Sequence, residues 1–210
     1  MPDLTIDRAF DRIAHLYDSG WAQRALYTAL QDRAFAELRV LRPASVLDVG
    51  CGTGIFADRL DREVAPGGVT GCDLSTGMLA QAAGRTHRVG WVRGDSAHLP
   101  LRTGALDAVV CTQAFHFFDQ PAAWAEFRRV LAPGGVALVG MMNPPSESRS
   151  RRWEKALGAV ARARITLPTM AGMHRLASDA GFEVTAQIEI DYRFKRVMPL
   201  VLTVARVTGV

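Results

Sequence analysis

The chain has 210 residues, of which 49% are apolar and 22% are charged, and its formal net charge is +4. This composition predicts a globular protein that is long enough to bury a core, and it argues against a disordered chain. No basic run is interleaved with stacking aromatic residues, so we predict no nucleic-acid partner. The three cysteines lie at predicted strand ends and form no Cys-x-x-Cys pair, which favours buried thiols in a reducing, cytoplasmic compartment.

The sequence also bears on membrane attachment. The N-terminus lacks the apolar core of a signal peptide, and the longest charge-free run, residues 130–146, is interrupted by proline and glycine. Such a run is too short and too broken to span a bilayer, so we predict no integral membrane segment. Peripheral contact with a membrane surface and the oligomeric state are left open.

The first predicted elements are helical. A short apolar pattern ends near Gly20, and apolar residues then recur at helical spacing over residues 21–41, until Pro43 stops the helix. A buried strand at 45–49 leads through a glycine-rich turn to a helix at 55–64. The pattern continues with strands at 69–73, 89–92, 106–111 and 136–141 and helices at 78–83 and about 120–131.

The C-terminal third has a different pattern. A loop at 143–146 precedes a basic helix at about 148–164, and a second helix at 170–180 ends at Gly181. Two closely spaced strands, near 183–190 and 198–207, should pair antiparallel. The whole predicts an α/β fold with a doubly wound, Rossmann-like sheet of seven strands. The sheet is mostly parallel with an antiparallel C-terminal hairpin, and helices cover both faces.

The glycine-rich turn is the main candidate site. A strand, a glycine turn and a helix present unpaired backbone N–H groups at a positive helix end, and glycine permits close approach of a ligand. A dinucleotide site needs its third glycine where this chain has Ile55, and Asp48 would repel a pyrophosphate. The turn therefore favours an amino-acid head group, with Asp48 serving its ammonium. On this segment alone, a structural turn that binds no ligand is the alternative.

Four segments carry a family resemblance. Residues 46–54, Val-Leu-Asp-Val-Gly-Cys-Gly-Thr-Gly, resemble the first motif of the class I S-adenosylmethionine (SAM) dependent methyltransferases. The resemblance continues in Gly-Asp-Ser-Ala-His-Leu-Pro at 94–100, where Ser96 replaces the commoner alanine. It extends to the strand within 106–118, which is followed by Ala-Phe-His-Phe, and to Leu-Ala-Pro-Gly-Gly at 131–135. It covers about residues 46–141 and is strongest to the small-molecule, quinone-methyltransferase-like branch.

The resemblance implies a set of cofactor-binding residues. Asp73 ends the second strand, where a carboxylate can accept hydrogen bonds from both ribose hydroxyls, although helix capping is an alternative and NAD would use the same contact. Asp95 would receive the adenine amino group, and Leu74 and Met78 would pack on the adenine ring. The implied set is Tyr17, Asp48, Gly50, Cys51, Gly52, Gly54, Asp73, Leu74, Met78, Asp95, Ser96, Thr112 and Gln113.

Two further residues are candidates for roles in turnover. His116 is the best-placed candidate for a general base, with a structural role as the alternative. Tyr17 resembles the tyrosine of a Tyr-Asp pair that helps to close a lid over SAM, and the alternative is a packed aromatic side chain. The basic helix predicts either a solvated face or recognition of an acidic substrate or anionic membrane; its residues are Arg149, Arg151, Arg152, Lys155, Arg162 and Arg164.

We therefore predict a single domain, with an N-terminal helical lid at 1–42, a SAM-binding core at 43–142 and C-terminal helices and hairpin at 143–210. The predicted activity is methyl transfer from SAM to a small-molecule acceptor of quinone, phenolic, carboxylate or lipid type, which leaves S-adenosylhomocysteine, and no metal is expected. A non-catalytic SAM-binding or interaction protein on the same fold is the main alternative. A dinucleotide oxidoreductase is disfavoured by Ile55 and by the terminal hairpin.

Overall fold

The computed structural model describes residues 27–161, 164–193, 195–196 and 198–208. Most of the predicted lid, including Tyr17, lies outside the described residues, as does Arg162. Within the described ranges, none of the helices has the length and apolar character needed to cross a membrane.

Helices and strands alternate through the first two thirds of the described chain. The strands are β1 Val46–Val49, β2 Val69–Asp73, β3 Gly90–Arg93, β4 Leu106–Thr112, β5 Leu131–Met142, β6 Phe182–Glu189 and β7 Leu200–Val207. The α-helices are α1 Thr28–Leu41, α2 Ile55–Glu63, α3 Thr76–Arg85, α4 Gln120–Val130, α5 Glu147–Ala161 and α6 Met170–Asp179, and one 3₁₀ turn spans Phe115–Phe117.

The seven strands form one sheet in the order β3-β2-β1-β4-β5-β7-β6. Strands β1 to β5 run parallel, and β7 is antiparallel to both β5 and β6, which confirms the predicted fold class and C-terminal hairpin. The chain moves from β1 outward to β3 and then returns to place β4 on the other side of β1. Ligands of open α/β sheets bind at such a switch point, outside the carboxyl ends of the strands.

An aromatic cluster fixes the position of α4 beside this switch point. Trp124 and Phe127 of α4 are fully buried, and the ring centroids of Trp124 and Phe115 lie 5.8 Å apart. The ring of Phe182, at the start of β6, lies 5.0 Å from that of Trp124. Because Asp119 caps α4 by accepting a hydrogen bond from the Ala122 N–H at 3.2 Å, both the axis and the start of this helix are defined.

Several element boundaries differ from the sequence predictions. Strand β5 begins at Leu131 rather than at 136, because Leu131 already pairs with Leu106 of β4. Helix α5 is described over Glu147–Ala161, and Arg164 is not helical, so Arg164 does not lie on the basic helix as predicted. Helix α3 begins at Thr76, since the Ser75 hydroxyl accepts a hydrogen bond from the Met78 N–H at 3.1 Å, as its predicted N-cap role requires.

Candidate functional site

The turn between β1 and α2 has the backbone that its glycines require. Gly50, Gly52 and Gly54 have φ angles of 72°, 56° and 78°, in a region that residues with a Cβ rarely adopt. The N–H groups of Gly50 and Cys51 both donate to the Cys72 carbonyl, at 2.8 and 3.1 Å. These bonds hold the turn against the end of β2.

Gly54 differs from the other two glycines in what surrounds it. A Cβ atom at this position would lie 2.5 Å from the Trp91 ring and 2.9 Å from the Ala82 side chain. Gly54 does not border either of the cavities described below. Its place at the start of α2 is therefore explained by close packing of that helix against α3 and β3, and not by contact with a ligand-sized space.

Asp73 is oriented by two backbone donors. Its Oδ2 accepts a hydrogen bond from the Gly52 N–H at 2.8 Å, and its Oδ1 accepts one from the Ser75 N–H at 2.9 Å. The carboxylate thus links the glycine turn to the start of α3 and lines the larger cavity. A carboxylate held in this way, with about four lone-pair sites, suits recognition of two neighbouring hydroxyl groups.

The Asp95 loop is fixed from two sides. Asp95 Oδ1 accepts a hydrogen bond from the Ala97 N–H at 3.0 Å, and its carbonyl accepts one from the His98 N–H at 2.9 Å. Farther along the loop, Glu126 accepts a bond from the Leu99 N–H at 2.7 Å, and Arg129 donates to the Leu99 carbonyl at 2.9 Å.

Glu126 and Arg129 are positioning residues that sequence reasoning missed. They form a two-bond ion pair at 2.7 Å on α4, and its hydrogen bonds with Arg129 hold the pKa of Glu126 below its usual range. Their i,i+3 spacing on the predicted helix was the available signal. Their attachment to the Asp95 loop depends on how the helix packs, which the spacing does not encode.

Asp48 lies in the middle of the sheet with only 2% of its surface exposed. Burial, and to a lesser extent the neighbouring Asp73, raise its pKa from 3.8 to about 7. The side chain borders a small recess of about 40 Å³, which Tyr27 and Gln31 close from the side of α1. This recess therefore presents a carboxylate that gains or loses its charge near neutral pH.

The larger cavity, of about 1040 Å³, extends from the strand ends to the C-terminal helices. Its volume is at the upper end of the range of ligand pockets, about 300–1,000 Å³. We call its two parts the strand half and the helical half. The strand half is lined by Gly50, Gly52, Asp73, Leu74, Met78, Asp95, Ser96, Thr112 and Gln113, among others. The helical half is lined by residues of the α4 start, α5, α6 and the segment 164–168.

Most predicted cofactor residues therefore lie together. Asp48 and Cys51 border the recess, and the recess and the strand half are both lined by Gly50, Gly52 and Thr112. The three cysteines are buried free thiols, as predicted, and burial raises their pKa values. Among the described residues, no group of three or more His, Cys, Asp or Glu side chains is arranged to hold a metal ion.

His116 is not among the residues that line either cavity. Its ring lies against Phe117, with centroids 4.1 Å apart, and its buried Nδ1 has no hydrogen-bond partner among the described residues. Burial lowers its pKa from 6.5 to about 4. The imidazole is therefore neutral at pH 7 and a weak base.

The segment 164–168, whose first residue the sequence analysis placed on the basic helix, is non-helical and lines the site. The Thr166 N–H donates to the His116 carbonyl at 2.9 Å, and the Thr166 carbonyl accepts from the Gln120 amide at 2.9 Å. Its neighbour Leu167 donates its N–H to Glu154 at 2.7 Å. Apolar and polar residues alternate in Arg-Ile-Thr-Leu, and Ile165 and Leu167 are the buried ones, so this alternation was the available signal against a continuous helix here.

Comparisons with known proteins identify relatives of this chain. A family model described as a methyltransferase domain matches residues 47–139. The malonyl-[acyl-carrier protein] O-methyltransferase of Geobacter sulfurreducens is 38% identical over 148 residues, which cover 64% of this chain and 55% of that protein. The demethylmenaquinone methyltransferase of Thermus thermophilus is 35% identical over 164 residues, which cover 74% of this chain and 67% of that protein.

The fold has solved counterparts. The methyltransferase solved in complex with the Haloferax volcanii Trm112 methyltransferase activator superposes with a TM-score of 0.82 at 23% identity, and the match covers 95% of this chain and 98% of that one. This likeness shows the fold. The chain spans about half the length of the malonyl-[acyl-carrier protein] O-methyltransferases from Geobacter sulfurreducens and Dechloromonas aromatica.

Proposed function

Because the chain belongs to the SAM-dependent methyltransferases, we propose that it transfers the methyl group of SAM to a small-molecule acceptor bound in the helical half. The observation that carries this proposal is the continuous cavity, which joins the fixed carboxylates at the strand ends to a second space beyond them. An acceptor must reach the methyl group of SAM bound in the strand half, and the second space adjoins that half.

The residues of the strand half and the recess suit the parts of SAM. Asp73 would accept hydrogen bonds from the ribose hydroxyls, and Asp95 would accept one from the adenine amino group. The recess beside Asp48 would take the methionyl ammonium. The predicted role of unpaired backbone N–H groups in the glycine turn does not fit the structure, because the N–H groups of Gly50, Cys51, Gly52 and Gly54 already donate to acceptors within the protein. Met78 and Leu74 border the strand half and would pack against the adenine ring.

Transfer makes modest demands on the protein. SAM supplies a methyl group on a positively charged sulfur, which is already a good electrophile. The chain's own residues hold the acceptor in line with that group and exclude water, and proximity and orientation can lower a barrier by several kcal/mol. The relatives are named for malonyl-[acyl-carrier protein] and for demethylmenaquinone, so carboxylate and quinone acceptors are both proposed here.

Calorimetry followed by a transfer assay tests the proposal. We expect SAM and S-adenosylhomocysteine to bind and NAD not to bind, and we expect label from SAM tritiated on its methyl group to enter an acceptor. If calorimetry shows that SAM binds but no labelled product forms over a broad panel of quinones, phenols, carboxylic acids and lipids, the non-catalytic alternative is favoured. Binding of NAD without binding of SAM would indicate a dinucleotide enzyme and contradict the proposal.

Replacing His116 with alanine should leave kcat nearly unchanged between about pH 6 and about pH 9. The ring lines no cavity, and its lowered pKa makes it a poor base. A general base typically contributes about 10²–10⁴ in rate, so a loss below about threefold would exclude that role. The variant should melt at a lower temperature, because the missing ring leaves a space beside Phe117. A kcat loss of a hundredfold or more with normal SAM affinity would restore His116 as the base.

A further inference from the structure

The helical half presents three arginine side chains whose guanidinium groups have no ion pair or hydrogen bond among the described residues. They are Arg151 on α5, Arg164 on the segment 164–168 and Arg175 on α6. Arginine binds carboxylates through two parallel hydrogen bonds. We propose that the helical half takes an acceptor with a carboxylate group and that this carboxylate is the group methylated; the proposal rests on the proposed methyltransferase function.

The acidic residues in the same wall are mostly engaged with neutral donors. Glu154 accepts a hydrogen bond from the Leu167 N–H at 2.7 Å, Glu147 accepts one from the Thr169 hydroxyl at 3.3 Å, and Asp119 caps α4. Asp179, at the end of α6, is the fourth carboxylate that lines this half. These acids offset the formal charge of the arginines. They form no ion pair with the three guanidinium groups, whose N–H donors are therefore left for a ligand.

For a neutral hydroxyl acceptor, the helical half offers only carboxylates as bases, and three of its four carboxylates already accept hydrogen bonds from protein donors. Among the described residues that line it there is no histidine, lysine, cysteine or tyrosine. His116 lies outside the lining, and His98 lines the strand half, on the Asp95 loop. A phenol or alcohol must lose its proton during transfer, whereas a carboxylate, with a pKa near 4, is already ionised at neutral pH. An acceptor that is already ionised therefore makes the smaller demand on this lining, because it needs none of these carboxylates as a base.

The reaction balances without a proton transfer. A carboxylate oxygen forms a bond to the methyl carbon with its own lone pair, and the bond between that carbon and the sulfonium sulfur breaks with its electron pair left on sulfur. An anion and a sulfonium cation become a neutral methyl ester and a neutral thioether. Because the product has lost the charge that the arginines bind, the same residues that hold the substrate would release the ester.

Product chemistry gives the first test. The full chain is incubated with SAM tritiated on its methyl group and with octanoate or phenylacetate, and matched incubations contain octanol, octanamide or phenol. We expect label in esters that release methanol in alkali, and none in the neutral acceptors. Since a carboxylate stays ionised, kcat at saturating SAM should be flat from about pH 6 to about pH 9, whereas an unassisted phenol would react faster as pH rises.

Charge-neutral variants give the second test, with a control on the same helix. Arg151→Met, Arg164→Met and Arg175→Met should each raise the KM for the carboxylate by about tenfold, as expected for the loss of one charge-assisted hydrogen bond, and leave the Kd for SAM unchanged. Arg151→Lys should restore part of the loss. Arg152, exposed on α5, does not line the cavity, so Arg152→Met should behave as the unmodified protein.

The outcomes separate the two proposals. A chain that binds SAM but methylates none of the carboxylates, or that places label in alkali-stable ethers, overturns the carboxylate inference and leaves the methyltransferase proposal in place. Equal KM values for the arginine variants and for Arg152→Met also overturn it. Absence of SAM binding by the unmodified chain is the different result that removes the proposed function itself.

Discussion

Replacing Asp73 with alanine is expected to raise the Kd for SAM by a hundredfold or more. Hydrogen bonds to a charged group contribute about 1.5–3 kcal/mol each, and Asp73 would make two with the ribose hydroxyls. Two such bonds amount to about 3–6 kcal/mol, and about 1.4 kcal/mol is a factor of ten in Kd. The variant also removes the acceptor of the Gly52 and Ser75 N–H groups, so the glycine turn loses its link to α3.

The Asp73 measurement needs a control for folding and one for charge. Asp73→Asn retains one oxygen that can accept from either the Gly52 or the Ser75 N–H and loses the other acceptor, so it should lose less stability than Asp73→Ala and still bind SAM weakly. Asp191→Ala removes a carboxylate that is 85% exposed and paired with Lys195 away from the cavity, and its Kd should be unchanged. An Asp73→Ala protein that binds SAM within about threefold of the unmodified chain would contradict the ribose role.

The strand-end carboxylates and the glycine turn were predictable because they depend on local rules. Positive φ angles restrict the turn to glycine, and parallel strands place Asp48, Asp73 and Asp95 at one edge of the sheet wherever the helices pack. The alternation of strands and helices is equally local. For these reasons the fold class and most of the strand half follow from residues 46–141 alone.

The helical half was not predictable in the same way, since its parts come from distant segments. The link between the 164–168 segment and the start of α4 through Gln120 is a contact across 46 residues. Arg164 was assigned to the basic helix, but it lies in a non-helical segment and lines the cavity. His116 follows β4, whose end borders the larger cavity, yet the packing of the 3₁₀ turn keeps His116 out of the residues that line that cavity.

The affinity for SAM should increase with pH up to neutrality because Asp48 must ionise to pair with the methionyl ammonium. Its pKa is raised from 3.8 to about 7 by burial and then by Asp73, so the SAM-free protein holds a proton at Asp48 at lower pH. If binding requires the ionised form, affinity should fall roughly twentyfold from about pH 7.5 to about pH 5.5. Calorimetry in buffers of different ionisation enthalpy should show proton release over the same interval.

The raised pKa of Asp48 affects stability in the opposite direction: affinity for SAM rises with pH, whereas the free energy of unfolding falls. Between about pH 4 and about pH 7 the folded chain binds more protons at Asp48 than the unfolded chain does, so this carboxyl group lowers the free energy of unfolding as pH rises. Asp48→Asn should therefore unfold at a higher temperature than the unmodified protein near pH 7.5, while it binds SAM more weakly and without the pH dependence. A variant that loses affinity and stability together would contradict this account.

Asp73 provides an internal check on the cause of the shift. Because the charge of Asp73 raises the pKa of Asp48, Asp73→Asn should move the midpoint of the pH dependence to a lower pH, even though it weakens binding. Asp191→Asn, which changes an exposed carboxylate, should leave the midpoint where it is. If Asp73→Asn and Asp191→Asn have the same midpoint as the unmodified chain, then burial alone raises the Asp48 pKa, and the two strand-end carboxylates are not electrostatically coupled.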